Sequence, residues 1–273
     1  MATQTGYSGS NDGGKYDYAA RRRALRASWF PGSKAEHESL LSRGAAARFV
    51  IGTTPDAERR AAVDAEASSL GDFLRLDLAE GYADLPKKTT AFVRAALREF
   101  PARFYFKVDD DVFVRVPTLL SAAAKQWAPA ERDYVGCMKR GDVLADPKYR
   151  WYEPAHQYLG TAYFTHAWGS AYVLSRRAAL ALASIPPGTF RQLANEDTTI
   201  GLWMLSLNAT FLDERRLCSP ECKPGAIAVF DYPKCAGLCD PVRGFAKLAS
   251  DPNCAVKEEE ERDPPEWKRF FEF

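Results

Sequence analysis

The chain has 273 residues, 46% of them hydrophobic and 12% aromatic, which is enough for one large domain or two small ones with a sizeable core. Thirty-seven basic residues against 36 acidic ones leave a net charge of +1 with no long basic block, so nucleic acid and anionic membrane surfaces are excluded as primary partners. No run of about 18 apolar residues occurs and the first residues form no apolar leader, so neither a membrane span nor a signal segment is expected within these residues.

Residues 1–17 are rich in Gly, Ser and Asn, and disorder is expected there. A helix is expected over 21–29, with Arg21, Arg22, Arg23 and Arg26 close together, either as a solvated face or as a diphosphate clamp. Residues 47–52 read as a short buried strand. Thr54-Pro55 then resembles a helix start, a hydroxyl cap followed by proline, with an end near Gly71 and a second strand over 72–77. Apolar residues at 85, 92, 93, 96, 97 and 100 form a helical stripe that Pro101 stops.

Next, Phe104, Phe106 and Val108 alternate with Tyr105 and Lys107, the period of a strand. This strand delivers Asp109, Asp110 and Asp111 to its C-terminal end, and apolar residues resume at Val112. Three adjacent carboxylates in an apolar run repel one another and are costly to desolvate unless a cation is bound. Oxygen ligands of this kind suit Mg²⁺ or Mn²⁺, and strand ends are where ligands gather in open α/β folds. The resulting β-α-β-α-β order predicts a parallel sheet of nucleotide-binding type. Neither GxGxxG nor GxxxxGK[ST] accompanies it, which argues against a dinucleotide or P-loop site.

A further helix is expected over 117–127. Residues 137–170 read as a loop-like, aromatic segment with Trp151, Tyr152, Tyr158, Tyr163, Phe164 and Trp168, a composition that suits sugar rings and core packing equally. A strand over 169–174 and a Ser175-capped helix over 176–184 follow. Ile200, Trp203, Met204 and Leu207 fall at helical spacing, with Asn195 as the expected N-cap and Glu196 and Asp197 in the first turn. A carboxylate placed there stays ionised, as a general base requires. Cys137 stands apart from Cys218, Cys222, Cys235, Cys239 and Cys254. Without nearby histidine, disulfides are expected rather than zinc, and their pairing stays open. Asn208-Ala-Thr is a glycosylation sequon. Residues 255–273 read as an acidic linker and an apolar tail.

Several of these segments recur in one order: Arg-Arg-Arg-Ala-Leu-Arg-Ala-Ser-Trp at 21–29, Phe-Val-Ile-Gly at 49–52, Asp77-Leu78 with Tyr82, and Leu-Pro-Lys-Lys-Thr at 85–89. Lys-Val-Asp-Asp-Asp-Val-Phe at 107–113 and Asn-Glu-Asp-Thr-Thr-Ile-Gly at 195–201 continue it. Together they resemble the β-1,3-galactosyltransferase family (glycosyltransferase family 31, with the Fringe-type enzymes). Segments 151–154, 164–169, 217–224 and 233–239 resemble its plant branch.

The resemblance covers residues 18–254 and implies one GT-A catalytic domain: an α/β fold with a Rossmann-like, mostly parallel sheet flanked by helices and a disulfide-rich C-terminal segment. It implies an inverting transfer of a hexose, galactose foremost, from a UDP-sugar to a glycan or glycoprotein in β-1,3 linkage. Mn²⁺ would be the cofactor, with Mg²⁺ as an alternative, in a Golgi type II membrane protein. UDP-N-acetylglucosamine as donor and a non-catalytic glycan-binding protein are the competing readings. By matched motif, Asp197 is the base and Asp109 and Asp111 hold the metal; the chain departs from the family in lacking a C-terminal histidine ligand, and Asp231, in Val-Phe-Asp, is expected to take that role. Donor contacts are expected from Arg22, Arg26, Gly52, Asp77 and Lys88, and from Asp109, Asp110, Trp168, Gly169 and Glu196. His166 is expected to line the sugar pocket.

Overall fold

A computed structural model describes residues 1–8 and 16–255. In chain order its elements are β1 (Ala2–Gln4), α1 (Tyr18–Arg26), α2 (Lys34–Ser42), β2 (Arg48–Thr53), α3 (Ala57–Leu70), β3 (Phe73–Ala79), α4 (Leu85–Glu99) and β4 (Phe104–Asp109). Then come β5 (Phe113–Val114), α5 (Val116–Ala122), β6 (Tyr134–Lys139), β7 (His166–Ser175), α6 (Arg176–Ser184), α7 (Glu196–Ser206), β8 (Phe211–Asp213), β9 (Ala228–Val229) and α8 (Pro241–Ser250). Among the described residues, seven strands form one sheet in the order β3-β2-β1-β4-β7-β6-β8, and β5 pairs with β9 beside it. Strands β3, β2, β1 and β4 are parallel, β7 runs antiparallel to β4 and β6, and β8 is parallel to β6. This is the Rossmann-like, mostly parallel arrangement expected.

Both faces of the sheet are covered. Phe49, Phe106, Val108, Val173 and Phe230 pack on one side, and Val50, Tyr105, Leu174, Ile200 and Met204 on the other. Burial on two faces explains why β2 and β4 read as near-continuous apolar runs. Gly71 closes α3 in the left-handed conformation, φ +64°, which glycine adopts without steric cost.

Three local expectations are corrected. The segment 1–17 is not disordered throughout, because β1 sits between β2 and β4 with all three residues buried. Ala-Thr-Gln is too short and too polar to announce itself, and its burial comes from its two neighbours. Residues 9–15 lie outside the described residues, as does the tail from 256. Helix α3 starts at Ala57 rather than at Pro55, since the Asp56 carboxylate accepts the Arg59 N–H at 3.0 Å. Finally, the segment 137–170 is not loop-like at its ends, which belong to β6 and β7.

All six cysteines are paired, Cys137 with Cys218, Cys222 with Cys254, and Cys235 with Cys239. Among the described residues, no helix is long and apolar enough to cross a membrane.

Candidate active site

The C-terminal end of β4 meets the start of β7 and the first turn of α7 around one ammonium group. Lys107 is buried, and its Nζ donates to Asp109 Oδ1 at 2.6 Å and to the Gly169 carbonyl, with Glu196 Oε2 at 3.8 Å. Gly169 neighbours α7: a side chain there would lie in contact with the Asp197 Cβ, at 3.4 Å.

The three aspartates behind this junction differ in surroundings. The Asp109 side chain is 38% exposed. The surrounding protein still strips enough water from it to raise its pKa against the opposing pull of Lys107, with Asp110 and Asp197 adding to the rise. Asp110 is buried; its Oδ1 accepts from Arg21 Nη1 at 2.7 Å, while its Oδ2 has no hydrogen-bond partner among the described residues. Burial and the charges of Asp109 and Asp110 push Asp111 up to about 7, although Arg21 lies 3.4 Å from its Oδ2. An orphaned buried carboxylate oxygen beside a carboxyl group that resists ionisation is what a hard divalent cation would relieve. The chemistry of these carboxylates suits such an ion, and Asp109 and Asp111 are the groups that could hold it. Among the described residues, no three acidic, thiol or imidazole groups gather closely enough to form a complete metal site. Asp231 Oδ2 instead accepts the Cys239 N–H at 2.8 Å.

Opposite lies Asp197. Its Oδ1 accepts the Thr198 N–H at 2.9 Å, and its Oδ2 is 2.7 Å from Lys139 Nζ and 3.9 Å from His166 Nε2. Burial would raise its pKa, but Lys139 and then His166 outweigh that, and the net shift is downward. Asp197 is thus held ionised. The Asn195 side chain makes no capping bond; its carbonyl accepts instead from the Thr198 and Thr199 hydroxyls. His166 Nδ1 lies 2.9 Å from the Phe164 carbonyl, and burial lowers the ring's pKa while the Asp197 charge opposes that shift. Lys139 also lies 4.0 Å from the Trp168 ring, whose buried indole N–H has no partner among the described residues. An open groove of about 480 Å³ runs from Lys139 past Arg140, Thr165, Phe211, Asp213 and Arg215.

Several expected donor contacts are otherwise engaged. Arg22 and Arg26 share one face of α1 at i, i+4 and both bind Glu66 of α3; Arg26 also holds Asp72. Arg21, on the adjacent face, is the arginine at the aspartates, with its guanidinium over the Tyr16 ring. Lys88 is buried, donating to the Thr5 carbonyl at 2.6 Å and to Glu80 at 2.7 Å. Gly52 donates its N–H to the same Glu80, and a Cβ there would overlap the Leu78 carbonyl, so close strand approach accounts for the glycine. Asp77 is exposed on β3. Glu196 accepts from the Thr89 and Tyr172 hydroxyls in a buried network.

Sequence reasoning missed Arg21 as the partner of the aspartates, Lys107 as their bridge, and Lys139 beside Asp197. Lys107 had a signal, since strand alternation put a lysine inside an apolar run. Lys139 had none, because its role arises only when β6 and α7 are placed side by side.

A family model described as Galactosyltransferase matches residues 20–214. "Probable beta-1,3-galactosyltransferase 12" of Arabidopsis thaliana is 43% identical over 88% of this chain and 65% of its own length. "Probable beta-1,3-galactosyltransferase 13" of the same plant is 42% identical over 87% of this chain and 69% of its own length. The chain thus spans about two thirds of the length of these relatives. A solved structure, a glycosyltransferase involved in glycosylation of the major capsid of PBCV-1, aligns at 9% identity and TM-score 0.43, covering 90% of this chain and 98% of that one.

Proposed function

Since the chain belongs to the galactosyltransferase family, we propose that it transfers galactose from a UDP-sugar to a glycan hydroxyl in β-1,3 linkage, with inversion. The observation that supports this best is the pairing of two carboxylate sets around Lys107, with Asp109 to Asp111 on one side and the ionised Asp197 on the other. A donor diphosphate needs cationic charge near its leaving oxygen, and an acceptor hydroxyl needs a base on the opposite face of the sugar.

Asp197 takes the proton of the acceptor hydroxyl as that oxygen attacks the anomeric carbon. The bond from that carbon to the UDP oxygen breaks, and the electron pair leaves on the diphosphate. One in-line displacement inverts the centre. Arg21, beside Asp110 and Asp111, would meet the developing charge. When bound, Mn²⁺ held by Asp109 and Asp111 would supply further stabilisation of the leaving diphosphate. Asp231, whose Oδ2 accepts the Cys239 N–H, would be the remaining holder of that ion. The three disulfides accord with an oxidising lumen such as the Golgi.

The test is UDP release from a panel of UDP-sugars with Mn²⁺, with and without EDTA, on wild type and Asp197→Asn. Transfer from UDP-galactose that EDTA stops and Asp197→Asn cuts by roughly 100-fold or more is expected. No release from any donor in the presence of glycan acceptors would overturn transfer in favour of glycan binding.

A further inference from the structure

Five residues closed by the Cys235–Cys239 disulfide lie directly against Asp111. The loop is seated from three separate segments. Leu238 N–H donates to the Asp111 carbonyl at 2.7 Å, and the buried Ser170 at the start of β7 donates its hydroxyl to the Ala236 carbonyl. Asp231 donates its N–H to the Gly237 carbonyl at 3.2 Å and accepts the Cys235 and Cys239 N–H groups, with its backbone carbonyl and side chain respectively. Leu238 is buried and packs toward Gly244 of α8, so the loop cannot retreat from Asp111 without opening that contact.

Gly237 is the point of closest approach. It is buried, and a Cβ on it would overlap the Asp111 carboxyl carbon and both carboxylate oxygens. Its φ is not in the left-handed region, so the requirement for glycine is the approach itself. Both anchoring ends of the loop being fixed, added bulk at 237 has to be absorbed by the short Asp111 side chain.

We propose that the Cys235–Cys239 loop is a wall of the donor-phosphate site, and that Gly237 is a positioning residue that sets where the Asp111 carboxylate points. The inference rests on the reading of the aspartates as the donor site. The wall excludes one orientation of the Asp111 carboxylate and leaves it near Arg21, beside Asp110. Gly237→Ala turns it away while leaving the sheet, Arg21 and Asp197 untouched.

The test measures UDP binding to the whole chain by calorimetry, with Mn²⁺ and with EDTA, alongside thermal melts and steady-state kinetics. Gly237→Ala is expected to weaken Mn²⁺-dependent UDP binding by roughly tenfold or more, the usual scale for groups that orient a metal's ligands. Binding in EDTA, the melting temperature and the acceptor KM are expected to stay near wild type, while the UDP-sugar KM rises. Ser170→Ala adds no atoms and frees the Ala236 carbonyl, so it carries the same test if the first variant does not fold. Wild-type Mn²⁺-dependent affinity in either folded variant, with Asp111→Asn defective, overturns the wall and leaves the donor site standing. Wild-type affinity in Asp111→Asn overturns both.

Discussion

Asp111 shows how a single side chain registers the unmet charge of the site. Its pKa rises from the ordinary 3.8 to about 7 because it is half-buried and largely desolvated beside the charges of Asp109 and Asp110. A carboxyl raised in this way carries no penalty below about pH 4, where folded and unfolded chains both hold the proton. Between pH 4 and 7 the unfolded chain ionises while the folded one does not, so stability falls as pH rises and stays lowered above 7. Asn at 111 is neutral throughout and removes that loss. In EDTA at pH 8, Asp111→Asn is therefore expected to be more stable than wild type by roughly 1–3 kcal/mol, with the difference gone at pH 4. Urea unfolding at the two pH values checks this, and equal stability at pH 8 would refute the assignment of repulsion. Asp197 behaves oppositely. Lys139 holds it below its ordinary value, so Lys139→Met is expected to move the acidic limb of the kcat/KM profile to higher pH. An unmoved limb would mean that Asp197 is not the base whose ionisation limits turnover. The groups facing Asp197 in that profile include Lys139 and Tyr134 on β6, His166 on β7, Tyr163 before it, Lys107 and Asp109 on β4, and Glu196 on α7, and of the two lysines Lys139 is the one whose removal leaves Asp109 paired.

At the scale of elements, Lys107 replaces the missing covalent link between β4, β7 and α7. It neutralises Asp109, lies near Glu196, and caps the Gly169 carbonyl where β7 enters the site. Deleting one partner of a buried ionic cluster leaves the others uncompensated, which typically costs about 3–5 kcal/mol. Lys107→Met should lower unfolding free energy on that scale, and Glu196→Gln in the same chain should return part of it. A loss below about 1 kcal/mol, within the range of exposed ion pairs, would show the cluster to be solvated. This junction also marks the limit of what the sequence could disclose. Strands β2, β3 and β4 and helices α4, α6 and α7 were legible because their apolar periodicity and stops are local. Asp109 to Asp111 and Asp197 were legible because each sits at an element end with a distinct chemical pattern. Strand β1 was not, since three polar-leaning residues become a strand only through neighbours about 45 and 105 residues away in register. Nor was the choice of Arg21 over Arg22 and Arg26, which depends on which face of α1 meets α3.

Over the whole molecule, the same locality explains why cysteine pairing could not be read from spacing, and it makes the three bridges unequal. Cys137–Cys218 ties β6, the strand bearing Lys139, to the turn before β9 across 81 residues, while Cys222–Cys254 spans 32. Chain-entropy scaling assigns the longer closure about 4.5 kcal/mol and the shorter about 3.7 kcal/mol. Cys235–Cys239, separated by four residues, constrains the unfolded chain least, so its stabilising effect is the smallest while its position at Asp111 is the most consequential. Paired Cys→Ser replacements should therefore rank in one order by melting temperature and in another by function. The 137/218 pair is expected to melt lowest, roughly 2 °C below the 222/254 pair, with the 235/239 pair nearest wild type. Mn²⁺-dependent UDP affinity, measured well below every melting point, should instead fall most in the 235/239 pair. If affinity simply follows melting temperature across the three variants, the bridges act only through global stability. If the two rankings diverge as stated, the short bridge belongs to the site and the long ones to the scaffold that carries it.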